Sequence, residues 1–228
     1  MAEGIRDRLL RVQERIRVAA LRIGREPSSI RLVAISKTVS PEIIREAVAA
    51  GIILLGENRV QEARDKVAAL PGLARWHLVG HLQTNKAKLA VQLFELIHSL
   101  DSVKLAQALD RSGEEAGKLV GCLIEVNLGG EESKGGISEE GVCPLLEATR
   151  ELPNLRIEGL MAIPPFLPDP EDVRPFFRRL RNLRDEVAGK GFAVPELSMG
   201  MTHDFEVAIE EGATLVRIGT AIFGPRPG

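Results

Sequence analysis

A lysine stands at the end of a short apolar segment near the start of the chain. Residues 32–36, Leu-Val-Ala-Ile-Ser, are apolar or small, as a buried strand requires, and Lys37 follows them directly. Lysine is almost never fully buried without a partner. This placement therefore indicates either a salt bridge to a neighbouring carboxylate or a pocket in which the amine forms a Schiff base with a carbonyl compound.

Two later segments have the residue types that a phosphate group requires. Residues 198–202 read Ser-Met-Gly-Met-Thr, and residues 219–224 read Gly-Thr-Ala-Ile-Phe-Gly. Their glycines allow close backbone approach, and their hydroxyls and N–H groups are donors for an anion. A carbonyl-reactive lysine together with a phosphate site favours pyridoxal phosphate. A sugar phosphate bound by a class I aldolase fits the same residues, and composition and spacing do not separate the two.

The elements that must position these residues are short apolar segments alternating with amphipathic helical patterns. There are eight such segments, at residues 31–36, 51–56, 75–80, 94–100, 119–128, 155–163, 195–200 and 214–224. Alternating strands and helices predict right-handed βαβ units and a parallel sheet. Eight units in 228 residues indicate an α/β fold of the (β/α)8 TIM-barrel type. An open doubly wound sheet is the alternative, but no Gly-x-Gly-x-x-Gly turn follows the first strand.

In such a barrel the active site lies at the carboxyl ends of the strands. Lys37 ends the first predicted strand, and Asn58 closes the Gly-Glu-Asn segment after the second. The two glycine-containing segments follow strands seven and eight, where barrels frequently hold a phosphate. Glu57, Asp101 and Asp204 also stand at strand ends, and we predict that they cap the helices that follow.

The chain is predicted to form one domain, residues 1–228. Residues 1–25 form an amphipathic helix that we expect to pack on the barrel, since apolar side chains recur at Ile5, Leu9, Val12, Ile16 and Ala20. No Pro/Ser-rich linker divides the sequence. The segment 163–172 contains four prolines, but it lies between a strand and a helix and is interpreted as a stiff loop.

Composition argues against several classes of partner. Charged residues make up 27% of the chain and the net charge is −2, so no broad basic surface for nucleic acid or an anionic membrane is expected. No apolar run approaches the ~18 residues of a membrane-spanning helix. Charges interrupt every apolar run near the N-terminus, so a signal peptide is not expected. These features predict a cytoplasmic protein.

Metal and disulfide chemistry are not predicted. His77 and His81 are four residues apart in a strand context, which separates them by ~13 Å and prevents them from binding one ion. His98 and His203 are isolated in the sequence. Cys122 and Cys143 are not arranged as Cys-x-x-Cys, and we interpret both as core thiols.

Eight motifs in a fixed order carry a resemblance to a known family. They are AISKTVS, LGENRVQEA, WHLVGHLQTNKAK, SLDSVKLA, VNLGGEESKGGI, GLMAIPP, LSMGMTHDFEVAI and VRIGTAIFG. Together they resemble the YggS/PROSC family of pyridoxal-phosphate-binding homeostasis proteins, from about residue 30 to residue 227. The resemblance implies the fold of the N-terminal barrel domain of alanine racemase. The second domain of that racemase lies outside this sequence.

The resemblance also implies a cofactor site made by eight residues: Lys37, Asn58, Ser198, Gly200, Thr202, Arg217, Gly219 and Thr220. Lys37 is expected to hold pyridoxal 5'-phosphate as a covalent aldimine, with Asn58 beside the cofactor ring. The residues after strand seven form one wall of the phosphate site, and Gly219 with Thr220 forms the other. Arg217 is expected to face the pyridine nitrogen. The family more often has serine at position 202, and threonine keeps that hydroxyl.

The implied function is to buffer or deliver pyridoxal phosphate, with an influence on amino-acid and keto-acid balance. The expected partners are the cofactor and pyridoxal-phosphate-dependent apoenzymes, and the expected state is a monomer. No catalytic residue is assigned. A two-base racemase needs a tyrosine opposite its lysine, and the sequence contains no tyrosine. A weak amino-acid racemase and a class I aldolase-like enzyme are the alternatives.

Overall fold

The structure is a computed structural model that describes residues 4–130 and 135–225. It contains eight short strands: β1 (Arg31–Ile35), β2 (Leu54–Glu57), β3 (Arg75–Leu78), β4 (Leu96–Leu100), β5 (Val120–Glu125), β6 (Leu155–Met161), β7 (Glu196–Ser198) and β8 (Leu215–Ile218). Each strand pairs in parallel with the next, and β8 pairs in parallel with β1. The predicted (β/α)8 barrel is confirmed, and the open-sheet alternative is wrong.

The helices follow the strands in the expected alternation: α1 (Ile5–Arg22), α2 (Pro41–Ala49), α3 (Val60–Ala69), α4 (Ala87–Leu93), α5 (Val103–Ala116), α6 (Glu139–Thr149), α7 (Pro170–Gly189), α8 (Phe205–Glu210) and α9 (Thr220–Phe223). Local sequence signals set the ends of several helices. Pro41 occupies the first turn of α2, and Gly117 ends α5 in the left-handed conformation. No helix in the described ranges combines the length and apolar character that a membrane crossing requires.

Apolar side chains occupy part of the interior of the barrel. One cluster inside it contains Val33, Ile35, Leu54, Val79, Leu96, Leu123, Met161 and Leu215. A larger core lies between the sheet and the helices. Cys122 is buried there, as predicted, whereas Cys143 is only half-buried and its Sγ lies 3.6 Å from Nζ of Lys190. The prediction that both cysteines are core thiols is therefore correct for Cys122 alone.

The N-terminal helix α1 packs against α8 and α9. Its buried face includes Ile5, Leu9 and Ile16. Nε of Arg15 donates to Glu206 of α8 at 2.6 Å. These contacts place α1 on the outside of the barrel, while the single-domain organisation of residues 1–228 stays a prediction.

None of the three strand-end carboxylates makes a side-chain capping bond, so that prediction is wrong, although Asp204 occupies the N-cap position of α8. Neither α3 nor α8 has a side-chain cap, which leaves Glu57 and Asp204 with other partners. The residue that caps α5 is Ser102, whose hydroxyl accepts a hydrogen bond from the backbone N–H of Leu105. Asp101 instead lies 3.5 Å from His81. The three carboxylates instead accept from or pair with the hydroxyl of Ser36, the ring of His81 and the backbone N–H of Met201.

Candidate cofactor site

A cavity of about 390 Å³ lies at the carboxyl ends of the strands. Its polar lining is formed by Lys37, Asn58, Thr202, His203, Arg217 and Thr220, together with the backbone of Gly219. Six of the eight residues predicted for the cofactor site are therefore brought to one cavity. Ser198 and Gly200 do not contribute to its lining.

Lys37 reaches this cavity from the turn that follows β1. The side chain is half-buried, and the next residue, Thr38, has a φ of 64°. Asn58 follows β2, which pairs directly with β1 through Ala34 and Leu55. Neighbouring parallel strands thus deliver the amine and the amide to adjacent points of the rim.

The apolar part of the cavity includes Ile35, Val79 and Ile163, and Phe166 is exposed at its mouth. The Phe166 ring lies 5.1 Å from the ring of His203, centroid to centroid. Nε2 of His203 lies 3.0 Å from the carbonyl oxygen of Pro168. His203, for which no role was predicted, therefore holds the proline-rich loop against the loop after β7.

The loop after β7 turns sharply at Gly200, which has a φ of +88°. A Cβ atom at this position would lie 2.5 Å from Cβ of Ala208 and 2.9 Å from Cα of Phe205. The backbone N–H of Met201 donates to Oδ1 of Asp204 at 2.6 Å and closes the turn. Gly200 thus contributes by packing the loop onto α8, and this packing presents Thr202 to the cavity.

Two hydroxyls meet across the gap between the last two strands. Oγ1 of Thr220 lies 3.3 Å from Oγ1 of Thr202. Gly219 precedes α9 and lines the cavity beside them. Hydroxyls and backbone N–H groups are suitable donors for a phosphate.

Arg217 is buried and reaches the cavity from inside the barrel. Nη1 donates to Oγ of Ser198 at 2.7 Å, and Nη2 donates to the carbonyl oxygen of Ala162 at 2.9 Å. Burial lowers the pKa of Arg217 to about 10, and the nearby carboxylates of Glu125 and Asp204 oppose that shift. The guanidinium is therefore charged at neutral pH and held in a fixed orientation.

The family profile described as "Alanine racemase, N-terminal domain" matches residues 9–227. A pyridoxal phosphate homeostasis protein of Aquifex aeolicus is 53% identical over 222 residues, which cover 96% of this chain and 97% of that relative. The chain belongs to the family of pyridoxal phosphate homeostasis proteins. Its resemblance to this family, seen first in the motifs, is confirmed.

Solved structures agree with this assignment to the homeostasis proteins. PipY of Synechococcus elongatus, with PLP bound, is 39% identical and has a TM-score of 0.82, over 93% of this chain and all of that one. PipY without PLP has a TM-score of 0.83. A D-threo-3-hydroxyaspartate dehydratase of Delftia, 24% identical with a TM-score of 0.67, shares the fold alone, and the chain covers 59% of that enzyme.

In this homeostasis protein Ser198 has a different position from the one predicted. Its hydroxyl is fully buried and bonds to Arg217 and, at 2.9 Å, to Nδ1 of His98. The prediction placed Ser198 in the wall of the phosphate site. Because β7 ends at Ser198 with its side chain toward the barrel interior, the hydroxyl orients Arg217 instead of lining the cavity.

The hydrogen bonds that link Arg217, Ser198 and His98 continue to a second buried histidine. Nε2 of His98 lies 2.9 Å from Nδ1 of His77, so two histidines that are far apart in the sequence meet inside the barrel. Within residues 4–130 and 135–225, no group of three or more His, Cys, Asp or Glu side chains is placed to hold a metal ion. The buried histidines therefore belong to a hydrogen-bonded chain that ends at Arg217.

We predict that both buried histidines stay neutral at pH 5. Burial lowers the pKa of His77 to about 3 and holds the pKa of His98 well below its usual range, and the charge of Arg217 lowers the pKa of His98 further. If the hydroxyl of Ser198 donates to Nδ1 of His98, each ring carries its proton on Nε2, and Nε2–H of His98 donates to Nδ1 of His77. Nitrogen-15 NMR of the imidazoles should show two neutral Nε2–H rings between pH 8 and pH 5. Titration of either ring near pH 6.5 would contradict this.

Proposed function

We propose that this protein binds pyridoxal phosphate in the rim cavity, attaches it reversibly through Lys37, and buffers or delivers it without substantial turnover. The observation that carries this proposal is the convergence of an amine, an amide, two hydroxyls and a charged guanidinium on one cavity. The family to which the chain belongs supports it. Pyridoxal phosphate, when bound, supplies an aldehyde that reacts with primary amines and an electron-withdrawing ring.

The residues present fit this group. A volume of about 390 Å³ lies within the range of small-molecule sites, about 300–1,000 Å³. The amine of Lys37 suits an aldehyde, and Ile35 and Val79 give the ring apolar contact. The hydroxyls of Thr202 and Thr220, with the backbone at Gly219, suit the phosphate.

Three features argue against efficient amino-acid chemistry. The sequence has no tyrosine, which removes the second base that a two-base racemase uses. His203 also lines the cavity, but its Nε2 lies 3.2 and 3.0 Å from the carbonyl oxygens of Leu167 and Pro168. That nitrogen therefore holds its proton as a donor. Arg217, a charged group, disfavours a proton on a ring nitrogen that faces it.

The proposed carrier is tested by cofactor transfer and turnover in parallel. The loaded protein is mixed with a pyridoxal-phosphate-dependent apoenzyme, whose activity should return as the cofactor moves. The same protein is incubated with L-alanine and followed by chiral chromatography, and conversion should stay at the level of free cofactor. Conversion that disappears in Lys37→Ala would favour the racemase alternative. A borohydride-trapped sugar phosphate without bound pyridoxal phosphate would favour the aldolase.

We predict that Thr202→Ala weakens binding of pyridoxal phosphate. The change removes one hydrogen bond to a charged group, worth about 1.5–3 kcal/mol, or about 10–150-fold in affinity. Binding of pyridoxal, which lacks the phosphate, should be weak in both proteins and unaffected by the change. Ser29→Ala, at the opposite end of the barrel, is the control. An equal loss of pyridoxal affinity would show that Thr202 does not contact the phosphate.

We also propose that the protein is a monomer. The closed barrel has no unpaired sheet edge that needs a partner. Sedimentation equilibrium at micromolar concentration should give the mass of one chain. A stable dimer in that range would contradict the proposal.

A further inference from the structure

A second lysine lies buried directly beneath the turn that carries Lys37. Lys66, in α3, is 6% exposed. Its Nζ donates to the carbonyl oxygen of Ser36 at 2.6 Å, and to Oε1 of Glu57 and Oε1 of Glu62 at 2.7 Å each. An ammonium group has three N–H donors, so all three are used. We call Ser36, Glu57, Glu62 and Lys66 the Lys66 cluster.

The Lys66 cluster forms hydrogen bonds to the backbone on both sides of Lys37. On the preceding side, Ser36 gives its carbonyl to Lys66, and its hydroxyl donates to Oε1 of Glu57 at 2.6 Å. On the following side, the backbone N–H of Thr38 donates to Oε1 of Glu62 at 2.5 Å. One ammonium group thus links residues 36 and 38.

The turn at residues 36–38 has a backbone conformation that is unfavourable without supporting contacts. Thr38 has a φ of 64°, a left-handed conformation that is unfavourable for a β-branched residue. Such a conformation persists only where several surrounding contacts hold it in place. The bond from Thr38 to Glu62 is one of these contacts, and Glu62 is in turn held by Lys66.

The Lys66 cluster also fixes the carboxyl end of β2. Glu57 is fully buried and immediately precedes Asn58, which lines the cavity. Among the described residues its Oε2 has no hydrogen-bond partner. The charge of Glu57 therefore depends on Lys66 and Ser36 for compensation.

We propose that Lys66 is a positioning residue for the cofactor site. It sets the turn at residues 36–38 and the end of β2, and so aims Lys37 and Asn58 into the cavity. This inference rests on the proposed function. Lys66 itself does not line the cavity, and with three acceptors on its ammonium group it is not the residue that attaches the cofactor.

The experiment measures how fast pyridoxal phosphate attaches to Lys37, by stopped-flow absorbance, in variants that remain folded. Lys66→Met alone leaves Glu57 as an unpaired buried charge, which is strongly destabilising. The double variant Lys66→Met/Glu57→Met replaces the pair with apolar side chains of similar volume, which is often tolerated. Its melting temperature should stay near that of the parent, while attachment slows by about 10-fold or more because Lys37 is less well oriented.

Glu62→Gln is a milder variant that keeps the interior apolar core unchanged. The Glu62 side chain is 26% exposed, so the variant is expected to fold. Because a neutral amide oxygen bonds less strongly to Lys66 and Thr38, attachment should slow by about 3-fold. Lys88→Met is the control, since Lys88 is 70% exposed and pairs with Glu115 on the surface. It should attach the cofactor at the parent rate.

The outcomes separate this inference from the proposed function. Folded double and Glu62→Gln variants that attach the cofactor as fast as the parent would overturn the role of Lys66 and leave the carrier proposal standing. Failure of the parent protein itself to attach pyridoxal phosphate would overturn the proposed function. Slower attachment in Glu62→Gln, with an unchanged melting temperature and an unaffected Lys88→Met control, supports the inference even if the double variant does not fold.

Discussion

Replacement of Lys37 by alanine is expected to abolish covalent attachment of pyridoxal phosphate while leaving the fold intact. Lys37 is half-buried and lines the cavity, so truncation removes an amine from a partly open site and leaves the core untouched. We expect a change in unfolding free energy within about 0.5 kcal/mol. The affinity should fall by about 100-fold, or about 2.7 kcal/mol, because the reversible bond to the cofactor is lost. Absorbance titration and thermal unfolding measure the two effects.

The matched control for this change is Lys86→Ala. Lys86 follows β3 and ends the short 3-10 turn Thr84–Lys86 at the same end of the barrel. It should bind the cofactor as the parent does. Retention of the absorbance change in Lys37→Ala, with attachment at Lys86 or Lys134, would show that the site is assigned to the wrong lysine. Lys134 lies outside the described residues.

The second large effect is expected at Gly200. Gly200→Ala places a methyl group 2.5 Å from Cβ of Ala208, at a φ of +88° that alanine rarely adopts. Overpacking and backbone strain together should lower the unfolding free energy by about 2–4 kcal/mol. Since the same loop presents Thr202, the affinity for pyridoxal phosphate should fall as well. Chemical denaturation and cofactor titration check the two parts.

The control for this change is the same substitution at a glycine that has open space around it. Gly189 ends α7, and a Cβ atom there would have no neighbour within 4 Å. Gly189→Ala should therefore be neutral or stabilising by up to about 1 kcal/mol. If Gly200→Ala unfolds within about 0.5 kcal/mol of the parent, the loop after β7 is not held as the structure describes.

The barrel was predictable because its signal is local and repeated. The apolar segment 94–100 contains β4 (Leu96–Leu100), and segment 155–163 contains β6 (Leu155–Met161). Buried parallel strands read as apolar runs of this length. The prediction was less accurate at segment 195–200, where β7 is only Glu196–Ser198, because the left-handed turn at Gly200 ends the strand early.

The site was predictable only in part, because its supporting contacts join residues far apart in sequence. His77 and His98 are 21 positions apart and meet inside the barrel. Ser198 was misplaced because its hydroxyl is occupied inside the barrel by Arg217 and His98, and the distant His98 contact cannot be seen in the sequence. The four-residue spacing of Glu62 and Lys66 was a usable signal of an ion pair, but not of its burial.

The central claim is that one lysine, Lys37, holds pyridoxal phosphate in the rim cavity. The most direct test is the intact mass of the purified protein after incubation with the cofactor and reduction with borohydride, followed by peptide mapping. The account predicts a mass increase of one reduced cofactor, located on the peptide that contains Lys37. No increase, or an adduct on a different lysine at equal yield, would contradict it.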